Sequence, residues 1–147
     1  MTMPFIDTDV IIRFLTGDDL EKQAEAAALF EQVQGAKLAV AAPVTVVADA
    51  VDVLSSPRLY DLPRTAVYRL LAPLVRLPGL RIRNRRAVIR ALDLYAGTNL
   101  DFGDALIVAE MERVRSRVVC SYDAHFDRIP AIRRLLPAEL LADASVG

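Results

Sequence analysis

The sequence predicts an α/β sandwich built around a mostly parallel sheet. Short apolar runs alternate with helical patterns along the chain, which is typical of strand–helix units that wind a parallel sheet. The 147 residues, 54% of them hydrophobic, are enough for one domain with a real core. The chain has no internal repeat, low-complexity stretch or long linker. We therefore expect a single domain spanning residues 1–147.

The individual elements follow from local signals in the sequence. Asp18 and Asp19 favour the first turn of the second helix, and Gly35 ends it. Pro43 suits the first position of the third helix, and Pro73 interrupts the fourth. The expected strands are "MPFI", "KLAVA", "LRIR" and "RVVCSY". The expected helices are "TDVIIRFLTG", "DDLEKQAEAAALFEQVQG", "PVTVVADAVDVLSS", "RTAVYRLLAPLVRL", "NRRAVIRALDLYAG" and "DFGDALIVAEMERVRS".

Composition limits the function classes. The net charge of −1 gives no overall basic field, so a surface that binds nucleic acid must be local. Cys120 is the only cysteine, which excludes an internal disulfide and suits a reducing compartment. The longest uncharged stretch, residues 38–48, is about half a membrane span. No basic region precedes a hydrophobic segment at the N-terminus, so we expect no signal peptide, no membrane contact and a cytoplasmic protein.

Two acids follow predicted strands. Asp7 comes directly after the first apolar run, and Asp123 follows the fourth in "VVCSYDAHF". Ligands gather at the carboxyl ends of the strands in open sheets, so we expect both acids at one edge. The alternative is that each is a turn or N-cap residue, a position that aspartate also favours.

Further acids lie on predicted helices. In "LDFGDALIVAEM", Asp101 and Asp104 have the spacing of an acidic capping box, which accounts for Asp101. Asp104 lies where the first turn meets the core, and the helix dipole there favours its ionised form. Asp49 and Asp52 are the only charges of an otherwise apolar helix. They form a stripe facing solvent, or supply a metal ligand and its neighbour.

Carboxylates that converge without a histidine or cysteine cluster are hard oxygen ligands, which select Mg²⁺ or Mn²⁺ over zinc. His125 is the only histidine, so a zinc site or a Ser-His-Asp triad has little material. A divalent cation held by carboxylates and substrate phosphate oxygens activates water and stabilises an in-line phosphoryl displacement. The residues therefore predict phosphodiester hydrolysis.

Four segments together carry a family resemblance: "FIDTDVIIRFLTGDD", "VTVVADAVDVL", "LDFGDALIVAEM" and "VVCSYDAHFDRIP". In this order and at these separations they resemble PIN-domain proteins, and within them the VapC-type toxins of toxin–antitoxin pairs. The resemblance covers essentially the full length. It implies a compact three-layer α/β/α sandwich and a Mg²⁺- or Mn²⁺-dependent endoribonuclease that acts on RNA. It also implies a cognate antitoxin partner and a homodimer.

The resemblance also implies roles for individual acids. The family's four catalytic acids map to Asp7, Asp49, Asp104 and Asp123, of which Asp7, Asp104 and Asp123 are the expected metal ligands. Asp49 departs from the family, where this acid is usually glutamate. Asp9 stands where asparagine or serine is common, and it joins the site, pairs with an arginine or caps the helix. The second-tier candidates are Asp9, Asp52, Asp101 and Asp127.

The substrate surface has a weaker signal. The segment 81–90, "RIRNRRAVIR", places five arginines in ten residues, and arginine binds phosphate bidentately. We take Arg83, Arg85 and Arg86 as candidate RNA contacts, against the alternative of a solvated helix face. Three aromatic residues are candidates to stack on bases or to fill the core: Tyr95, Tyr122 and Phe126.

Two other functions compete with the nuclease. "DTDV" fits the start of haloacid-dehalogenase-like phosphatases, with Asp7 as nucleophile and Asp9 as acid/base. That family needs a lysine further along the chain, and the only two here are Lys22 and Lys37. The other candidate is a degenerate PIN fold that binds RNA or a partner without catalysis, which the shorter Asp49 would favour.

Overall fold

The computed structural model describes the backbone of residues 2–146 and the side chains of residues 2–143. This part of the chain contains helices, a 3₁₀ turn and short strands. The α-helices are α1 (Thr8–Leu15), α2 (Leu20–Gln34), α3 (Val44–Ser55), α4 (Arg64–Val75), α5 (Arg85–Gly97), α6 (Phe102–Val114) and α7 (Pro137–Val146). The strands are β1 (Val40–Ala41), β2 (Leu80–Arg81), β3 (Val118–Cys120) and β4 (Arg133–Leu135), and a 3₁₀ helix spans Ala124–Arg128.

All strand pairing in the described residues is parallel. β1 pairs with β2, with Val40 opposite Leu80, and β3 pairs with β4, with Val119 opposite Arg134. Phe5 adds an isolated parallel bridge to the β1 strand. Helices connect these strands, as parallel pairing requires. The α/β class and the PIN-like α/β/α architecture expected from the sequence are confirmed.

The strand predictions need two corrections. "MPFI" forms a single bridge at Phe5 and not a regular strand. "RVVCSY" forms β3, but its partner is β4, and no ladder among the described residues joins it to β1 and β2. β4 was not predicted, because two of its three residues are arginines, which hide the apolar signal of a strand. Strand pairing therefore does not by itself bring Asp7 and Asp123 to one sheet edge.

The helix predictions hold more closely. The side chain of Asp19 caps α2 by accepting a 3.0 Å hydrogen bond from the Lys22 amide, and Gly35 ends the helix. Pro43 is the N-cap of α3 and not its first helical residue, because its ψ of 160° is still extended. Pro73 lies inside α4 without ending it. Pro73 is exposed, so water can reach the helix surface where the proline removes a hydrogen bond.

The buried residues of the described chain are all apolar, and helices α1 to α6 contribute to one connected core. α5 packs against α4 and α6, and α1 packs against α2 and α3. Gly79 lets the turn before β2 touch the end of α2, because its amide donates a 3.1 Å hydrogen bond to the Val33 carbonyl. A Cβ at this position would lie 2.6 Å from that carbonyl oxygen. No described helix is long and apolar enough to cross a membrane.

Candidate active site

The first group of acids lies along a groove of about 580 Å³, which we call the α1–α3 groove. Its lining includes Asp7, Asp9, Asp49 and Asp52. Asp7 is the N-cap of α1, and its Oδ1 accepts a 2.7 Å hydrogen bond from the Thr8 amide. α1 packs on α3, which brings the cap of one helix beside the acids of the other. The groove therefore unites two pairs of acids from distant parts of the sequence, residues 7 and 9 and residues 49 and 52.

Asp9 lies exposed in the first turn of α1. Its side chain makes no hydrogen bond or ion pair with the described residues, and Asp7 takes the capping position. Of the three roles considered for Asp9, capping and arginine pairing are thus not observed. Its carboxylate stands free beside Asp7 in the α1–α3 groove.

Tyr60 forms one wall of the same groove. Its hydroxyl donates a short hydrogen bond to the Asp18 carboxylate, just before α2. Leu59 beside it is exposed and also lines the groove. The lining of the groove thus combines four acids with an exposed leucine and a tyrosine. No motif or spacing in the sequence singles out Tyr60.

The second group of acids surrounds the start of α6. Asp101 is the N-cap, and its Oδ1 accepts a 2.8 Å hydrogen bond from the Asp104 amide. The Asp104 carboxylate makes no hydrogen bond or ion pair with the described residues. Burial raises the pKa of Asp104 most, and the negative charges of Asp101 and Asp123 raise it further, while His125 lowers it. Burial and the two neighbouring acids thus act against the ionised form of Asp104, which the helix dipole is expected to favour.

Asp123 joins this second group from the other side. It is the N-cap of the 3₁₀ helix. Its Oδ1 accepts a 2.9 Å hydrogen bond from the His125 amide and lies 3.0 Å from the His125 Nδ1, within ion-pair distance. The Asp123 amide donates to the Ser121 hydroxyl at 3.0 Å. The capping role considered for Asp123 is thus real. Its charge nonetheless acts on Asp104, so capping and a place in the acidic group are compatible.

Asp127 has a structural partner. Its two carboxylate oxygens accept hydrogen bonds of 2.9 and 3.1 Å from the Arg134 guanidinium, which lowers the pKa of Asp127. Arg134 also donates to the Ser121 carbonyl at 3.1 Å. This contact ties β4 to the 3₁₀ helix that follows Asp123. Asp127 therefore supports the segment that carries Asp123.

The acids of the two groups are the candidate ligands for a divalent cation. Their donors are carboxylate oxygens, the ligands that Mg²⁺ and Mn²⁺ prefer, so the donor chemistry fits. Within the described residues, however, no group of three or more His, Cys, Asp or Glu side chains lies close enough to hold a metal ion. The expected convergence into one cluster is not observed. Like charges repel, and Asp7, Asp101 and Asp123 each use an oxygen as a helix cap.

The candidate RNA contacts differ among themselves. Arg83 and Arg86 are exposed and make no hydrogen bond or ion pair with the described residues. Arg85 instead donates to the Leu80 carbonyl through a short hydrogen bond, and its Nε is buried without a partner. Arg81, which the sequence analysis did not select, is also exposed and unpaired, and it lines a groove of about 460 Å³ with Arg83. Within the segment 81–90, the guanidinium groups without a hydrogen-bond or ion-pair partner among the described residues are therefore those of Arg81, Arg83 and Arg86.

The aromatic candidates separate by burial. Tyr95 is 5% exposed and Phe126 is 2% exposed, so both belong to the core. Tyr122 is 79% exposed and precedes Asp123 directly. Of these three candidates, only Tyr122 is exposed.

The PIN domain family matches residues 5–132 of the chain. This range contains both acidic groups and all described helices and strands except β4 and α7. The chain therefore belongs to the PIN domain family. PIN domains are generally nucleases and generally use divalent metal ions. Comparison with curated proteins finds no match.

Proposed function

We propose that the protein is a Mg²⁺- or Mn²⁺-dependent endoribonuclease that hydrolyses RNA phosphodiester bonds. The observation that carries the proposal is the unpartnered, partly buried carboxylate of Asp104. Its carboxylate has no partner among the described residues, and burial and two neighbouring acids raise its pKa. A carboxylate kept free among like charges is poised to bind a cation, and the PIN family match includes the helix that carries it.

Each acid has a defined part in this proposal. Asp7, Asp104 and Asp123 would hold the divalent cation, which when bound supplies an activated water and charge stabilisation at the phosphate. Asp49 completes the catalytic acids from the α1–α3 groove. The backbone amide of His125 donates a hydrogen bond to the Asp123 carboxylate and so orients it. Asp9, Asp52 and Asp101 add negative charge around these positions.

The RNA backbone would meet the unpaired arginines. Arg83 and Arg86 are exposed and free of carboxylate partners, and Arg81 shares a groove with Arg83. Guanidinium groups bind phosphate oxygens strongly when nothing else occupies them. Arg85 contributes by fixing the start of α5 through its bond to the Leu80 carbonyl.

We further propose that the protein is the toxin of a type II toxin–antitoxin pair, acting in the cytoplasm as a homodimer held by a cognate antitoxin. The resemblance of the four acid-bearing segments to VapC-type toxins supports this. Growth arrest on expression of the wild type, relieved by Asp104→Asn, is the expected result. Light scattering on the purified protein would give twice the 16.2 kDa protomer mass. Unimpaired growth would remove the toxin role and leave the nuclease to its own test.

A second candidate is a PIN fold that binds RNA or a partner without catalysis. The absence of a three-residue metal cluster among the described side chains favours it, as does the short Asp49. The family match points away from the haloacid-dehalogenase-like alternative, which we do not pursue.

One assay separates these two candidates. Purified protein is incubated with a mixed pool of small RNAs in Mg²⁺, in Mn²⁺ and in EDTA. The nuclease predicts discrete cuts that require metal. A binding protein would shift RNA in a gel in all three conditions and leave it intact, and that result would replace the proposed function.

A further inference from the structure

The guanidinium of Arg64 is held by a run of backbone carbonyls directly before the second acidic group. Its Nη1 lies 2.9 Å from the Tyr95 carbonyl oxygen, 3.3 Å from that of Thr98 and 2.5 Å from that of Leu100. Its Nη2 lies 3.4 Å from the Asn99 carbonyl oxygen. Arg64 is the first residue of α4, so one side chain ties the start of α4 to the end of α5 and the turn that leads to α6.

The face of the guanidinium is also occupied. Its central carbon lies 4.4 Å from the centre of the Tyr95 ring, a cation–π distance. Tyr95 is buried in the core, so the ring gives the cation a fixed surface. A positive charge at the C-terminal end of α5 also complements the helix dipole. The Nη groups of the Arg64 guanidinium and its flat face are thus both in contact with other residues of the chain.

The turn that Arg64 holds leads straight into the acids. Thr98 ends α5, and its hydroxyl donates 2.6 Å to the Leu94 carbonyl and accepts 3.1 Å from the Leu100 amide. Leu100 is buried, and the next residue is Asp101, the N-cap of α6. The Asp104 amide in turn depends on Asp101 for its hydrogen bond. Any shift of residues 98–100 therefore moves Asp101 and, with it, the first turn that carries Asp104.

Arg64 can influence Asp104 only through its contacts with the backbone, and not through its charge. The charges that act on the pKa of Asp104 are those of Asp101, Asp123 and His125, and Arg64 is not among them. Arg64 makes no ion pair with a carboxylate of the described chain. We propose that Arg64 is a positioning residue, which fixes residues 98–100 and so the place of Asp101 and Asp104. Its catalytic consequence rests on the nuclease function proposed above.

The test compares Arg64→Lys with the wild type and with Arg69→Ala. Lysine keeps the charge, but a single ammonium lacks the planar fork that reaches four carbonyls. Arg69 lies on the same helix, is exposed and has no hydrogen-bond or ion-pair partner among the described residues. For each protein, hydrogen exchange is measured at the amides of Asp104 and of the core residue Leu71, and kcat and KM are measured on one RNA substrate.

Positioning predicts a specific pattern. In Arg64→Lys the Asp104 amide exchanges faster while the Leu71 amide does not. The kcat per folded molecule falls roughly tenfold to a hundredfold with KM nearly unchanged, as expected for misplaced catalytic groups. Arg69→Ala matches the wild type in every measurement. A purely structural role predicts faster exchange at both amides with an unchanged kcat, and that result overturns the proposal.

Two further outcomes are decisive. If kcat falls in Arg64→Lys while Asp104 exchanges as in the wild type, Arg64 acts by another route and the proposal is wrong. If the wild type cuts no RNA, the proposed function fails, yet the exchange of the Asp104 amide still shows whether Arg64 fixes this turn. Should Arg64→Lys fail to fold, Arg64→Gln keeps two donors and takes its place in the same measurements.

Discussion

The amide of Asp104 donates a 2.8 Å hydrogen bond to the Oδ1 of Asp101. One aspartate thus caps α6 and, through the same bond, holds the other in the first turn of that helix. The Asp104 carboxylate is left without a partner among the described residues, and its pKa is raised by burial and by the charges of Asp101 and Asp123. Helix stability and the acidic group are therefore built from the same few atoms.

This arrangement predicts that Asp104→Asn stabilises the folded protein near neutral pH. Because the pKa of Asp104 is raised on folding, its ionised form weakens the folded state, and this penalty is complete at pH values above the folded-state pKa. Replacing it with asparagine should raise the free energy of unfolding at pH 7 by roughly 0.5 kcal/mol, the scale of partly exposed charge interactions. Urea unfolding measures the difference.

The gain should shrink as the pH falls through the folded-state pKa and vanish below the unfolded value, where wild-type Asp104 is protonated in both states. Asp93→Asn is the control, since Asp93 pairs with Arg90 on the exposed face of α5 and its loss brings no gain. An Asp104→Asn protein less stable than wild type at pH 7 would show that the carboxylate has a favourable partner.

Divalent cations should offset the destabilisation that the ionised Asp104 carboxylate causes in the folded state. Binding to the folded state alone raises stability by about 2.7 kcal/mol at a concentration of 100 times Kd. We therefore expect Mn²⁺ to raise the Tm of the wild type and EDTA to restore the original value. Asp7→Asn and Asp104→Asn should lose most of the shift, whereas Asp93→Asn keeps it. Equal shifts in all four proteins would place the cation elsewhere.

Gly79 should be intolerant of any side chain. A Cβ there would lie 2.6 Å from the Val33 carbonyl oxygen and would also collide with the Leu38 carbonyl oxygen. Gly79→Ala should therefore cost about 3 kcal/mol, the upper range of overpacking, in thermal or urea unfolding. Gly97→Ala is the matched control, since its Cβ meets nothing within 4 Å and helix propensity favours alanine. Equal stability of the two variants would contradict the close approach seen at Gly79.

The unpaired arginines should carry RNA affinity. Each phosphate contact on a single strand contributes about 0.7 to the slope of log K against log salt. Replacing Arg81 and Arg83 with alanine should lower that slope by roughly 1.4 if both contact phosphate. Binding is measured in EDTA by fluorescence anisotropy with a labelled RNA. Arg113→Ala, which removes an arginine already paired with Glu110, should leave the slope unchanged. If Arg113→Ala lowers the slope as much per arginine removed as the Arg81 and Arg83 substitutions do, the affinity depends on total charge and not on these two arginines.

The sequence predicted the helices and the family better than the sheet. The helix α2 begins after Asp19 and ends at Gly35, and α6 begins after Asp101. These boundaries could be predicted because capping signals act over a few residues. The strands depend on distant partners. The pairing of β3 with β4 could not be predicted, since β4 is only three residues long and two of them are arginines.

In the candidate site, too, residues marked by local patterns could be predicted and contacts between distant residues could not. Sequence reasoning selected Asp7, Asp104 and Asp123 because each follows a strand or starts a helix. It could not show that Arg85 turns back onto the Leu80 carbonyl or that Asp127 pairs with Arg134. Arg64 is one of sixteen arginines, and its role depends on carbonyl groups more than 30 positions away. Such contacts leave no local pattern.

The most direct test of the central claim is the rate of RNA cleavage by the wild type and by Asp104→Asn in Mn²⁺, on one RNA found to be cut. Asp93→Asn, purified in parallel, controls for the loss of a carboxylate. We predict metal-dependent cleavage by the wild type and Asp93→Asn, and at least a hundredfold slower cleavage by Asp104→Asn, roughly the loss expected when a group that stabilises the transition state is removed. Equal rates in wild type and Asp104→Asn would contradict the account.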